Sequence, residues 1–417
     1  MHLPSTTSIG RIAAAVLGLS LTAVFPAHAD TVDPTLPRTV VVGAPSGAAP
    51  SERIDPRRSG RARTRLPAAP VEVWRRHVAG TVEVSPIVDE AGNIIVALSN
   101  AELVKLGPDA RELWRFRLGG ASAVTPPTLL ADGTIAVVTA AGTAMGITRS
   151  GSLRFTTSLG IARRDADTVP IALENGGFLV AAGSTVVELD PDGIVRARGT
   201  LDDRGSTAPE RATGAVVDSP AGALVTTASG AVFRFRPPAL PRRVGTFGGY
   251  PTRGAMLADD RTLVAVVDGR RLVALDLPTG TTHVRGSGVV FDAPPALGPG
   301  GLLIAATQLG LLLGIDAAGN ERIHLSLDKS SSPIGVTTPS GSFIAAADVK
   351  PSPPVIVDES GRIAFVRANG RAGVVSPEGK IVPMAERICA SPIALVPAGE
   401  KRVLVACRDG GLWMYGE

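Results

Sequence analysis

The chain has 417 residues and 42.6 kDa, and 44% of its residues are hydrophobic, so it can bury a large core. Only 19% are charged, which excludes wholesale disorder. Lys+Arg 42 against Asp+Glu 38 leaves a formal +4 and a pI near 9.4, too small an excess to indicate a nucleic-acid partner. The 48 glycines and 34 prolines make up about a fifth of the chain and lack a collagen period. That content disfavours long helices and suits short strands joined by tight turns.

In chain order, residues 1–29 read as a secretory signal peptide. Arg11 is the only charge ahead of an apolar stretch from Ile12 to Val24, and Ala27-His28-Ala29 fits a small-x-small cleavage rule. Cleavage between Ala29 and Asp30 is expected. The apolar stretch is too short to span a bilayer, and no other run is long enough. The chain is therefore expected to be exported, to the periplasm or beyond the cell, without a transmembrane segment.

Residues 30–69 read as a flexible linker rich in Pro, Ala and Arg. Arg53, Arg57, Arg58, Arg61, Arg63 and Arg65 crowd together, offset by Glu52 and Asp55. A solvated arm is one expectation, and an electrostatic tether to an anionic surface is the other.

From residue 70 the chain repeats. The first copy runs Val84–Asp89, a turn at Gly92, Ile94–Leu98, Glu102–Leu106, a Pro108-Asp109 turn, then Leu113–Phe116. The first turn recurs at Gly133, Gly176, Gly222, Asp260, Gly300, Gly341, Gly361 and Gly399. The spacing stays near 40 residues, the period of a four-stranded propeller blade, except for one gap of 20 between Gly341 and Gly361.

Third strands are expected to start near Glu102, Thr143, Thr185, Ala231, Arg271, Leu311, Ala372 and Gly411. Eight blades follow, with an extra hairpin around 333–365 in the seventh. Nine blades, or seven with a decorated edge, also fit the turns. The last copy stops after its third strand, and Val71–Arg76 can supply the fourth, closing the ring. The expected fold is an all-β propeller over residues 70–417.

Two cysteines, Cys389 and Cys407, lie nine residues either side of Ala398. A hairpin centred there sets them face to face. Export favours a disulfide between them, and the alternative is two buried thiols.

These repeats resemble the pyrroloquinoline-quinone-type propeller repeat. That superfamily includes quinoprotein alcohol dehydrogenases and the propeller lipoprotein of the outer-membrane β-barrel assembly machine. Its dehydrogenases carry a docking pattern, Ala-x-Asp-x-x-Thr-Gly-x-x-x-Trp. Ala274, Asp276, Thr279 and Gly280 match it, and Val284 replaces the tryptophan. Asp190-Pro191-Asp192-Gly193 and Asp316-Ala317-Ala318-Gly319 are weaker echoes, and Trp74 and Trp114 stand where a blade's closing tryptophan would. The Asp should accept backbone N–H bonds in its turn, and the Gly should take a positive φ.

The dehydrogenase site does not carry over. The resemblance implies adjacent bridged cysteines, an Asp base and a calcium held by Glu and Asn, and no residues here match those roles. No cofactor and no metal are expected. The histidines after the signal, His77, His283 and His324, are widely separated, and no zinc spacing, Gly-x-Ser-x-Gly elbow or Walker loop occurs. Asp202-Asp203, Asp259-Asp260 and Asp165/Asp167 are candidate carboxylate pairs for glycosidic chemistry, read first as turns. Arg163-Arg164-Asp165, Asp202-Asp203-Arg204, Asp292 and Lys329-Ser330-Ser331 are expected on the end faces, as the rim of a binding funnel.

The sequence thus favours an exported, non-catalytic propeller that binds or scaffolds in the cell envelope. It would act as a monomer on an envelope protein, peptide or glycan. A carbohydrate-active lyase or hydrolase is the alternative. Non-reducing peptide mapping of exported protein should recover one linked peptide containing Cys389 and Cys407, and recovery of two free thiols would refute the pairing.

Overall fold

The computed structural model describes residues 43–161, 169–202, 210–218, 222–327 and 351–417. The signal sequence and its cleavage site, Ala29 and Asp30, lie outside them. Among the described residues the strands form eight four-stranded antiparallel sheets, and there is no α-helix. These are the eight blades.

Blade 1 runs outward through Ile87–Val88, Ile94–Leu98, Glu102–Leu106 and Glu112–Arg117. The innermost strands of blades 2–7 are Thr128–Leu129, Ile171–Ala172, Ala212–Val217, Pro251–Leu257, Ala296–Leu297 and Ile356–Val357. Blade 8 is built from Pro392–Pro397, Arg402–Cys407, Gly411–Gly416 and, outermost, the N-terminal strand Val71–His77. Val71 pairs with Gly416 and His77 with Gly411, so the two ends of the ring share one sheet. All eight third strands begin at the expected residues.

Burial follows the layer. The second strand of blade 1, Ile94–Leu98, is buried at every position, whereas the outermost, Glu112–Arg117, alternates between half-buried and exposed. The inner strands meet a neighbouring blade on both faces, and the outermost has one face in water. Val, Ile, Leu and Ala side chains fill the space between blades. One cluster joins Ile87, Ile95 and Leu103 of blade 1 to Leu129, Ile135 and Val137 of blade 2.

Turn chemistry sets the strand ends. The Asp190 carboxylate accepts the N–H groups of Asp192 and Ile194, and Asp316 does the same for Ala318 and Asn320. Gly193 (φ 79) and Gly319 (φ 89) complete these turns in a region L residues avoid. The docking tryptophans act between blades. Trp74 donates its indole N–H to the Pro108 carbonyl, and Trp114 to that of Arg149, both at 2.9 Å. A Cβ on Gly151 would come within 2.7 Å of Trp114 Cγ, so only glycine lets the ring lie flat on that turn.

Three expectations change. The extra hairpin expected at 333–365 is not found in its described part, residues 351–365. Its described part, Ile356–Val357 and Ile363–Val366, is the ordinary first hairpin of blade 7, turning at Gly361, and Gly341 lies outside the described residues. Cys389 and Cys407 do come together, with Cα atoms 6.4 Å apart, but not as ladder partners. The hairpin pairs Val396 with Leu404 and Pro392 with Cys407, so Cys389 reaches across from the segment before the strand. The turn is centred on Glu400, two residues later than the Ala398 centre expected from the sequence.

The third change concerns the linker. Residues 43–66 are not a free arm but a strap laid on the inner ends of the blades. Val88 in blade 1 donates its N–H to Ala49, Leu129 in blade 2 to Pro50, Val217 in blade 4 to Pro56 and Leu257 in blade 5 to Arg57. Leu297 in blade 6 donates to Ser59, and Val357 in blade 7 to Gly60. Each donor is the last residue of an innermost strand, and the strap meets them in blade order. At the matching place in blade 8 stands Pro397, which has no N–H to satisfy. Arg57, Arg58 and Arg65 each have a separate carboxylate partner. Arg57 pairs with Asp260 at 2.6 Å and Arg65 with Glu400 at 2.7 Å.

The girdle is thin between blades 5 and 6. Val284, at the position of the missing tryptophan, is 56% exposed and borders a groove of about 340 Å³ between blades 5 and 6, opposite the Gly319 turn. Val284→Trp should fill it and raise the melting temperature, by up to about 2 kcal/mol of added stability. Thermal unfolding tests this, and an unchanged or lower midpoint would count against docking at that position.

Candidate functional site

The eight inner strands surround a channel, and the channel holds a funnel of about 590 Å³. Its wall comes from the entry ends of the innermost strands in every blade: Ser85, Pro126, Val169, Thr213, Arg253 and Pro294, continuing through Pro353 and Ile393. Prolines recur because each inner strand presents an unpaired edge to the channel. A proline there removes an N–H that would otherwise need a partner, and it stiffens the wall. The strap forms the floor through Ser51, Glu52, Arg53, Ile54, Arg58 and Gly60.

To follow the ring at so small a radius the strap takes unusual backbone geometry. Arg53 (φ 59), Ile54 (φ 83) and Arg58 (φ 58) all lie in the left-handed region. For β-branched Ile54 this is a genuine outlier, held by its surroundings. Ile54 is 2% exposed and packs in one cluster with Leu66, Ile356, Leu395 and Val405.

The floor is cationic. Arg53 is 8% exposed, donates from Nη2 to the Pro295 carbonyl, and leaves Nε and Nη1 without a partner. Burial, then the charge of Arg58, pulls its guanidinium down to about 9. The native state therefore binds this proton less tightly than the unfolded chain. The cost to stability is full below the folded value and fades as pH rises through the window up to the ordinary value. Arg58, also buried, pairs with Glu52 at 2.8 Å and donates to the Arg253 carbonyl at 3.1 Å.

Other charged groups brace single blades or join neighbouring ones. Burial pushes the Asp89 carboxyl up, but the Lys105 ammonium at 2.9 Å and the Asn93 donors outweigh it and hold it below its usual range. Asp132 is depressed likewise by Arg154 against the effect of burial. Asp292, expected on the funnel rim, is instead buried. It takes Arg367 of blade 7 at 2.9 Å, while Arg367 also donates to the Thr307 and Gln308 carbonyls of blade 6. Of the other rim residues Asp202 is exposed, and Arg163, Arg164, Asp165, Asp203, Arg204, Lys329, Ser330 and Ser331 lie outside the described residues.

The carboxylate pairs do not assemble a reaction centre where they are described. Asp259 accepts the Arg261 N–H in its turn while Asp260 binds Arg57; Asp165, Asp167 and Asp203 are outside the described residues. His77, His283 and His324 sit on outermost strands, His324 beside Glu321. The docking residues serve their turn. Asp276 accepts the Thr279 N–H at 3.2 Å, Thr279 meets Thr281 at 2.7 Å, Gly280 takes φ 71, and Ala274 is buried. Among the described residues no three His, Cys, Asp or Glu side chains group to hold a metal, and no helix is long and apolar enough to cross a membrane.

No protein-family profile matches the chain, and no curated protein matches it. Solved structures do. The computationally designed Ika8 protein aligns at TM-score 0.60 and 10% identity, covering 83% of this chain and 99% of its own. Virginiamycin B lyase from Staphylococcus aureus aligns at TM-score 0.49 and 13% identity, over 82% of this chain and 98% of its own. BamB from Moraxella catarrhalis aligns at TM-score 0.46 and 13% identity, over 84% and 98%. At such identities the likeness concerns fold alone. The chain is an eight-bladed β-propeller whose channel is floored by its own N-terminal segment.

Replacing Asp292 by Asn should cost about 3–5 kcal/mol, because it removes the carboxylate that pairs with Arg367 in a buried place. The double change Asp292→Leu with Arg367→Met should recover most of that loss. Denaturant unfolding of the three variants checks this, and a mild effect from Asp292→Asn would show that the pair does not clamp blades 6 and 7.

Proposed function

We propose that the protein is an exported, non-catalytic binding or scaffolding module of the cell envelope, acting through its channel funnel. The observation that carries this reading is the funnel itself. It is a pocket of about 590 Å³ with a wall drawn from all eight blades, stiffened by proline and closed below by the strap. A site of this size and shape suits a peptide segment or a short glycan. A rigid disc needs no moving part to present it. Export is supported by the signal-like first 29 residues and by a cysteine pair at disulfide spacing. The repeat period and the Ala274–Gly280 stretch support kinship with the pyrroloquinoline-quinone-type propellers, in a member without their redox site.

Retention of an envelope protein, peptide or glycan by immobilised protein should fall roughly ten-fold or more in Ser85→Trp, which fills the funnel from its wall, with the melting temperature unchanged. Equal retention by both proteins would move the binding surface elsewhere. Turnover of any member of a glycan panel by the wild type, lost in Ser85→Trp, would replace this reading with an enzymatic one.

A further inference from the structure

The funnel floor carries more positive charge than its own partners neutralise. Arg53, Arg58 and Arg253 lie together, and each of the other two depresses the proton affinity of Arg53. Two carboxylates stand against these three cations. Glu52 is engaged by Arg58, and Asp55 accepts the N–H and hydroxyl of Ser59. Higher on the wall, Arg408 and Glu83 lie 3.7 Å apart and offset each other.

Arg253 is the cation a ligand can reach. It is exposed, lines the funnel, and has no ion-pair partner among the described residues. A break in the ladder presents it. The register of the innermost strand of blade 5 shifts between Pro251 and Ala255, Arg253 sits at φ 58, and Gly254 follows at φ 80. Side-chain size is restricted there, since a Cβ on Gly214 would approach Gly254 Cα within 2.8 Å. The bulge therefore costs backbone energy, and what it delivers is one guanidinium in the funnel. Beneath it, Arg53 is nine-tenths buried and lines the same funnel with two donors unpartnered, and Arg58 has its Nε unpartnered.

We propose that the base of the funnel is a carboxylate-binding site in which Arg253 makes the direct contact and Arg53 and Arg58 supply the field from below. The site lies in the funnel of the proposed binding role and rests on that reading. Net charge selects the ligand. Among the described residues, three arginines against Glu52 and Asp55 leave one unit of positive charge to neutralise, which a single carboxylate does. A phosphate dianion would overshoot it and meet Glu52, which lines the same funnel. The chemistry recognised is thus the free carboxylate of a ligand threaded into the funnel, as at an acidic side chain or chain end.

The test is thermal unfolding of the full chain titrated with potassium acetate, potassium phosphate or potassium chloride at constant ionic strength. Acetate should raise the melting temperature saturably, phosphate less, and chloride not at all. Arg253→Ser should raise the half-maximal acetate concentration roughly ten-fold or more. Arg253→Lys should retain part of the response, and the exposed Arg270→Ser should retain all of it. Arg53→Met, which removes the buried charge, should blunt the acetate response as well and guards against a misfolded Arg253→Ser. No acetate-specific rise, equal responses in Arg253→Ser and Arg270→Ser, or phosphate matching acetate would each overturn the site. Partner retention separates the two readings. Retention that depends on Ser85 without an acetate response removes this site alone, whereas an acetate response without any retained partner removes the binding-module reading.

Discussion

A propeller must deal with two open sheet edges in every blade, one facing solvent and one facing the channel. The channel edge is the harder problem, because eight innermost strands turn their backbone donors toward a narrow space. An unsatisfied buried N–H costs about 1–3 kcal/mol. Here the last residue of six innermost strands is satisfied by a carbonyl of the strap, and at blade 8 a proline removes the donor altogether. The rest of the architecture is arranged around that solution.

The N-terminal segment thus closes the ring twice. Val71–His77 completes the outside of blade 8, and residues 49–60 visit the inner ends of blades 1, 2, 4, 5, 6 and 7. This double closure matters more because the aromatic girdle is sparse. Trp74 and Trp114 dock on the neighbouring blade, and Phe155 stacks on Phe178 at 5.9 Å, but Val284 leaves its junction open. At the joint of blades 6 and 7 a buried ion pair, Arg367 with Asp292, adds to an apolar cluster that includes Ile304, Leu312, Ile363 and Phe365. Such a pair fixes which blades meet and adds less net stability than an apolar contact of the same volume.

The repeat was legible because turn chemistry is local. Glycine at a positive φ and aspartate bonded to its own turn recur every 40 residues or so, and they fixed every third strand to its first residue. The strap was illegible for the opposite reason. It bonds through backbone carbonyls, which any sequence provides, so Ala49, Pro50 and Ser59 carry no pattern of partnership. Its arginines looked like a solvated charge run, and only their separate partners, Asp260, Glu400 and Glu52, show them to be placed one by one. The cysteine pairing was readable from the signal-like first residues and the spacing, but its register was not, since the turn is centred on Glu400, beyond the Pro397-Ala398-Gly399 stretch that reads as the turn. Asp292 was misplaced because a loop aspartate reads as rim until a buried arginine from the next blade, remote in sequence, is seen to claim it.

One consequence joins closure to function. The residues that floor the funnel belong to the segment that ties the blades together, so occupancy and ring stability share the same groups. Arg53 is the clearest case. Its charge is unfavourable where it lies, as its depressed proton affinity records, while its backbone neighbours Pro56, Arg57 and Ser59 hold blades 4, 5 and 6. A ligand that neutralises the floor relieves a cost borne by the strap, and whatever favours the seated strap favours the ligand in equal measure. A propeller floored by an independent domain would not have this coupling. In this chain it follows from a single economy of topology: the same stretch of backbone that caps the open strand edges also presents the side chains at the bottom of a concavity that all eight blades build together.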